Sequence, residues 1–280
     1  MRCLVAVATR QSRFSDLKTF WQKPSEEIQA FWNKAEVGLK LTLDFVEGNI
    51  RIPGSDLLPS QASLIPLCTV FSDRKHITGE EEKLLQKWFL IANSFSRYSG
   101  AMETTLNQDL TALGPKCEGI HALYEILLRD LRAEPKVTVQ DLERAGTNSP
   151  FFPLAFLAVI RRGAKDWFKG VQVHKDGFNE DQNIEYHHIF PRKHLNARNV
   201  DRFLRDEMAN IAFLGQKANR RILARKPKDY LEDIAESAPE RLKDQFVPMD
   251  RGLWELDRYN DFLVARRGML ADAMNEVLKG

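Results

Sequence analysis

Residues 183–195, NIEYHHIFPRKHL, contain three of the six histidines of this 280-residue chain. Two of them, His187 and His188, are adjacent and lie shortly before Pro191. A neutral imidazole can accept a proton near neutral pH, and it can also bind a metal ion. On a regular strand, neighbouring side chains point to opposite faces, so two adjacent histidines that serve one site require a distorted strand end. Pro191 gives the strand a reason to end there. A hydrogen-bonded structural pair is the alternative interpretation.

Two asparagines downstream could complete a site with the histidine pair. Hydrolysis of a phosphodiester needs an activated water and a cation that stabilises negative charge on the phosphate. Asn210 begins the short apolar stretch ANIAFLG, and Asn219 lies in the helix-like stretch QKANRRILARKP. A strand–loop–strand–helix unit could bring all four side chains together. Asn210 could instead cap or turn the chain, and Glu185, on the strand face of His187, is an alternative metal ligand.

The net charge of +2 is unevenly distributed along the chain. Residues 192–228 contain eleven Lys or Arg and three Asp or Glu, so this stretch carries +8 and the remainder carries −6. A solvated helical face is the ordinary explanation, and a surface that binds a polyanion is the sharper one. The candidate phosphate contacts in this stretch are Arg192, Lys193, Arg220, Arg221, Arg225 and Lys226. Such contacts position a nucleic-acid backbone without reading its sequence.

The composition indicates a globular protein with no membrane span. Hydrophobic residues make up 43% of the chain and charged residues 29%, and no apolar run is long enough to cross a bilayer. The start of the chain lacks the length and the cleavage site of a signal peptide. Three widely spaced cysteines, Cys3, Cys68 and Cys117, suggest a reducing compartment, so we expect a cytoplasmic protein.

Hydrophobic periodicity predicts a mainly α fold. Amphipathic helices are expected through residues 15–49, with a break at KPSEE and an N-cap at Ser25, and from a cap at Thr78 to about residue 99. LIPLCTVFS is either a buried helix or a strand, and a buried helix is expected to enter through the prolines of NSPFFPLAF. A strand, a loop and a strand should follow over residues 170–191, and Pro227 should end the helix that begins near residue 216. The weakly marked domain boundary divides residues 1–148 from residues 149–280.

The histidine pair and the two asparagines resemble the constellation of HNH, or ββα-metal, nucleases. More narrowly, EYHHIFP, ANIAFLG and KANRRILARKPKDYL resemble the C-terminal nuclease domain of GmrSD-type modification-dependent restriction endonucleases. LIPLCTVF, EEKLLQKWFLIANSFSRYSGAMETTLNQDL and YNDFLVARRGMLADAM also resemble segments of those proteins, so the resemblance covers most of the chain. It implies a helical N-terminal half, the linker or partner region of that architecture, and an HNH core embedded in C-terminal helices.

The resemblance also implies a role for each residue of the constellation. His188 would be the general base, and Asn210 would hold its loop or imidazole in orientation. His187 and Asn219 would bind a divalent metal, with waters and phosphate oxygens as the other ligands. An open site with few protein ligands favours Mg²⁺, and an imidazole ligand also suits Mn²⁺, Co²⁺, Ni²⁺ or Zn²⁺. The implied activity is metal-dependent DNA hydrolysis in the restriction of foreign DNA, including phage DNA.

The chain departs from that family's pattern in one respect. Such proteins usually begin with a ParB-like nucleotide-handling domain that carries a DGQQR-like motif, and this sequence contains no such motif. A separate ParB-like subunit is therefore an expected partner, beside DNA itself. HNH sites often cut one strand at a time, so double-strand cutting would require a homodimer. The alternatives are a DNA-binding module without cleavage activity and a subunit that docks the separate nucleotide-handling protein.

Overall fold

The computed structural model describes residues 1–11, 17–54, 57–74, 76–173, 184–223 and 225–280. The fold is mainly helical, as the periodicity predicts. The described chain forms two compact units, one made of Met1–Pro135 with Leu278–Gly280 and the other of Lys136–Val277. The expected boundary at residue 148 thus falls within the second unit. Among the described residues, no helix combines the length and the apolar character that a membrane crossing needs.

The first unit, over its described residues, is built from helices. They are α1 (Arg2–Thr9), α2 (Leu17–Phe20), α3 (Ser25–Phe45), α4 (Leu64–Asp73), α5 (Gly79–Ser94), α6 (Met102–Leu113) and α7 (Ile120–Leu131). A π-helical turn, Val46–Ile50, extends α3. The long helix α3 packs along α4, and α1 packs against both, around a core that includes Leu4, Val7 and Cys68.

Two expected helix starts in this unit have different outcomes. Thr78 caps α5 in a reciprocal arrangement with Glu81: each side chain accepts a hydrogen bond from the other residue's backbone N–H. The predicted cap at Ser25 is wrong by one residue. Pro24 occupies the cap position and Ser25 is already helical, because the fixed φ of proline sets the turn into the helix without a side-chain cap. The ambiguous stretch LIPLCTVFS is the buried helix α4.

The second unit surrounds one small sheet with helices. Its elements are α8 (Val139–Leu142), α9 (Phe152–Arg161), β1 (Ile184–His188), α10 (Arg192–Asn196), α11 (Arg202–Arg205), β2 (Ile211–Gly215), α12 (Gln216–Ile222), α13 (Pro227–Ser237), α14 (Pro239–Lys243) and α15 (Tyr259–Lys279). The buried helix α9 has a proline in its first turn, as expected. Pro227, expected to end α12, instead begins α13. A proline suits that position because its missing N–H would have no helical partner there.

Strands β1 and β2 pair antiparallel, with His187 opposite Ala212 and His188 opposite Ile211. Strand β2 is buried along its whole length. Phe213 packs with Tyr186, Phe152 and Phe156, which ties the sheet to α9. The backbone N–H and carbonyl of Phe213 are both bonded to the amide of Gln245, at 2.8 Å each. The strand expected before β1 and its loop fall largely on residues 174–183, outside the described residues, as does His174.

Candidate metal and nucleic-acid site

The histidine pair forms the end of β1. His188 is the last strand residue, and Pro191 begins the turn into α10, as the sequence predicts. Strand alternation gives the two imidazoles different partners. His187 is buried and contacts α12, whereas His188 is partly exposed and contacts the turn after α11. The pairing with β2 stays regular through His188, so the distorted strand end expected for two histidines that serve one site is not found, and the two imidazoles have separate partners.

The two residues expected to bind a metal contact each other directly. Nδ1 of His187 lies 2.6 Å from Oδ1 of Asn219. The amide nitrogen of Asn219 donates to the carboxylate of Glu185, and a carboxylate only accepts. This contact fixes which way the Asn219 amide faces, so its oxygen is directed at His187. Nδ1 of His187 therefore carries the proton and donates it to Asn219.

The surroundings of His187 keep its imidazole neutral. The ring is packed edge-on against Trp167 and Tyr230, with ring centroids 6.1 Å apart in both cases. Burial lowers the pKa of His187 to about 4, and the hydrogen bond with Asn219 offsets only part of this effect. Its other nitrogen, Nε2, is buried without a hydrogen-bond partner among the described residues. A neutral imidazole is the form that binds a metal.

His188 is bonded to a carboxylate that the sequence did not single out. Its Nε2 lies 3.1 Å from Oδ1 of Asp206. Hydrogen bonds from Arg205 and Arg192 hold the pKa of Asp206 well below its usual range, so the carboxylate stays ionised. Burial and the nearby charge of Arg192 lower the pKa of His188, against the pull of Asp206. At neutral pH the imidazole of His188 is thus uncharged and has a lone pair available.

Asn210 fixes the turn that follows the histidine pair. Its amide oxygen accepts the N–H of Phe190 at 2.8 Å, and its amide nitrogen donates to the carbonyls of Phe190 and Arg205. Its own carbonyl accepts the N–H of Ile189. The side chain is fully buried, so these bonds satisfy groups that would otherwise be costly to bury. Asn210 bonds backbone beyond His188, and none of these bonds involves the imidazole.

The helix that carries Asn219 is held at its first turn. Asp166 is fully buried, and its carboxylate accepts the N–H of Gly215, the residue at the N-terminal cap of α12, at 2.9 Å. The other oxygen of Asp166 accepts the N–H groups of Phe168 and Lys169. Negative charge at a helix N-terminus is favourable, so Asp166 stabilises the first turn of α12 and joins it to the turn at residues 166–169.

The donor atoms near Asn219 suit a divalent cation. Among the described residues, no cluster of three or more His, Cys, Asp or Glu could hold a metal. The group at β1 and α12 instead offers one imidazole nitrogen, one amide oxygen and, one hydrogen bond away, the carboxylate of Glu185. His187 and Asn219 are joined by one hydrogen bond, and a cation can take the place of its proton only if the neutral imidazole then carries its proton on Nε2. This donor set suits a metal that keeps several waters.

The six basic residues expected to contact phosphates are all exposed, but their surroundings differ. They are Arg192 and Lys193 on α10, Arg220 and Arg221 on α12, and Arg225 and Lys226 before α13. Arg192 is bonded to Asp206, and Arg225 to Asp233 at 2.6 Å. The other four have no carboxylate within ion-pair distance in the part of the chain that the structure describes. Arg221 stacks its guanidinium 4.8 Å from the ring centre of Phe168.

The sequence analysis did not single out Asp206, and it gave Glu185 only as an alternative metal ligand. Asp206 is one of three acids within the basic stretch, and the scarcity of acids there was the sequence signal available for it. Strand alternation placed Glu185 on the face of His187, and the structure links it to that histidine through Asn219. His194 is half-buried on α10, while His76 and His121 are exposed in the first unit, away from this constellation in the sequence.

Comparison with known proteins adds little to this geometry. No protein-family model matches the chain. An uncharacterised protein of Methanocaldococcus jannaschii is 21% identical over 209 residues, which cover 73% of this chain and 33% of that protein. The chain thus matches about a third of the length of this relative, whose name carries no activity.

Proposed function

We propose that this protein is a metal-dependent DNA endonuclease of HNH type that hydrolyses phosphodiester bonds. The observation that carries the proposal is the contact between His187 and Asn219, which joins β1 to α12 across 32 residues of sequence. A neutral histidine, His188, follows directly on the strand, and the amide of Asn210 holds the turn beyond it. The antiparallel pairing of β1 and β2, followed by α12, supports the proposed assignment of this region as an HNH core.

Each residue of the group has a distinct role in the proposed reaction. His187 and Asn219 would hold a divalent cation, Mg²⁺ in the first place, which would supply positive charge for the phosphate and the leaving oxygen. His188 accepts the proton of the attacking water. Asn210 keeps the end of β1 and the turn before β2 together, which fixes the backbone that carries His188. Glu185 orients the Asn219 amide through the hydrogen bond described above.

The proposed substrate is DNA because the helix that bears Asn219 also carries exposed cations. Arg220 and Arg221 follow Asn219 directly in the sequence. Lys193, which precedes α12 in the sequence, and Lys226, which follows it, are further exposed cations. Restriction of foreign or modified DNA, together with a ParB-like subunit, is proposed on the strength of the family resemblance.

Cleavage of supercoiled plasmid by the full chain tests the proposed function. We expect cutting with Mg²⁺ or Mn²⁺ and none with EDTA, and Asn219→Ala should need much more metal for the same rate because one ligand is missing. Asn33→Ala, an exposed asparagine on α3, is the matched control and should behave as the wild type. Unmodified and base-modified plasmids are compared in parallel. Equal cutting in EDTA overturns the proposal, and salt-sensitive binding without cutting favours a DNA-binding module.

The cations on α12 should dominate the salt dependence of DNA binding. Replacing Arg220 and Arg221 together by alanine should reduce the slope of log K against log salt by about one unit for each phosphate that is no longer neutralised. The double variant Arg225→Ala/Asp233→Ala removes a neutralised pair and keeps the net charge, so its slope should stay near that of the wild type. Fluorescence anisotropy over a salt series measures both slopes. A slope that changes equally in both variants contradicts this assignment.

A further inference from the structure

The hydrogen bond between His188 and Asp206 determines which nitrogen of the imidazole is protonated. An ionised carboxylate has no proton to donate, so Nε2 of His188 must be the donor in the 3.1 Å contact. A neutral imidazole has a single N–H. Nδ1 of His188 therefore carries a lone pair and no proton, and it is the nitrogen that can accept one.

Asp206 is itself held in place from two sides. One of its oxygens accepts from Nη2 of Arg205 at 2.7 Å, and the other accepts from Nε of Arg192 at 2.7 Å. The next residue, Glu207, is fully buried and bonded by both Nε and Nη2 of Arg267. The backbone at Asp206 is thus anchored in the core, while its carboxylate faces His188 with its ionised form stabilised.

We propose that Asp206 is the positioning residue of the hydrolytic site, orienting His188 so that Nδ1 accepts the proton of the attacking water. This inference rests on the proposed function. The water oxygen forms the new bond to phosphorus as its proton passes to Nδ1, and the leaving oxygen departs with the electron pair of the broken P–O bond. The imidazolium that results donates from Nε2 to Asp206, whose own proton count does not change. The negative charge of Asp206 stabilises that cation.

The hydrogen bond between His188 and Asp206 fixes the tautomer of the imidazole, which a simple surface ion pair does not do. Arg192 and Arg205 already stabilise the ionised carboxylate of Asp206, so the hydrogen bond from His188 is not needed to neutralise it. The contact with His188 imposes one tautomer and one ring orientation. A buried aspartate acts on its histidine in the same way in the catalytic triad of serine proteases, where it fixes the tautomer and is not itself protonated.

The test combines the tautomer of His188 with the kinetics of the full chain. Long-range ¹H–¹⁵N spectra should show Nε2 of His188 protonated in the wild type, and a mixture of tautomers in Asp206→Asn, whose amide can also donate. The cleavage rate at saturating DNA should fall on the order of 10²-fold in Asp206→Asn, with the KM little changed. Asp201→Asn is the matched control, because Asp201 caps α11 through the N–H of Phe203. In Asp201→Asn, the tautomer of His188 and the cleavage rate should match those of the wild type.

Each result decides between the two proposals. A wild-type His188 protonated at Nδ1, or an Asp206→Asn rate equal to that of the wild type, overturns the positioning role while the nuclease stands. A wild-type chain that does not cut DNA overturns the nuclease, and the positioning role falls with it, even where the spectra show the Nε2 tautomer. Altered tautomer populations with a reduced rate and an unchanged KM support the role.

Discussion

Replacing His188 with alanine is expected to reduce the rate of plasmid cleavage on the order of 10²- to 10⁴-fold, which is what a positioned general base contributes. DNA binding should change little, because His188 is neutral and the cations of α12 remain. The rest of the site should also keep its arrangement. His187 stays bonded to Asn219, and Asn210 stays bonded to the backbone of Phe190. Single-turnover cleavage and anisotropy on the same DNA measure the two effects separately.

His194→Ala is the matched control for this variant. His194 lies on the short helix α10, six residues further along the chain, and is half-buried. We expect its cleavage rate to stay within a few-fold of the wild type. A His188→Ala protein that cuts as fast as the wild type would show that His188 is not the base. Loss of DNA binding together with cleavage would instead point to misfolding at the end of β1.

Replacing Arg267 with methionine is expected to lower the free energy of unfolding by about 3–5 kcal/mol. Arg267 binds the carboxylate of Glu207 with two nitrogens, at 2.6 and 2.7 Å, and Glu207 is fully buried. Methionine fills similar space but leaves the buried charge without its partner. One further bond to Glu207, from the N–H of Arg144 at 2.9 Å, is not enough to offset that loss. Equilibrium urea unfolding, followed by tryptophan fluorescence, measures the change.

Two further variants test whether the loss of stability comes from the unpaired buried charge of Glu207. Arg258→Met breaks an ion pair with Asp261 in which both side chains are more than half exposed, so the free energy of unfolding should change far less than in Arg267→Met. Glu207→Gln combined with Arg267→Met removes both charges, and the amide oxygen introduced by the first substitution can still accept the N–H of Arg144. The free energy of unfolding of that double variant should be higher than that of Arg267→Met alone. Equal destabilisation by Arg267→Met and Arg258→Met would contradict the assigned effect of burial.

The local elements of the site follow from local signals in the sequence. Alternation and Pro191 predict β1 and its end, and the apolar run before Gly215 predicts β2. The cap at Thr78 follows from a threonine and a glutamate three residues apart. Such signals depend on neighbours along the chain, so a single sequence is enough to read them.

The contacts that complete the site depend on residues distant in the sequence. Asp206 lies 18 residues from His188, and Glu207 lies 60 residues from Arg267. No periodicity connects these partners, and an acid in a basic stretch is equally consistent with a solvated surface charge. The tertiary fold alone brings them together. For the same reason, α11 and the buried role of Arg267 in the last helix could not be anticipated from local pattern.

The amide of Gln245 has a consequence for assembly. A strand at the margin of a sheet normally offers free N–H and C=O groups that can template another strand, from a second copy or in an aggregate. At Phe213 those groups are already bonded to Gln245, at 2.8 Å each, so β2 cannot be extended there by strand addition. The two-stranded sheet is therefore protected against edge-to-edge association of two copies at this position of β2.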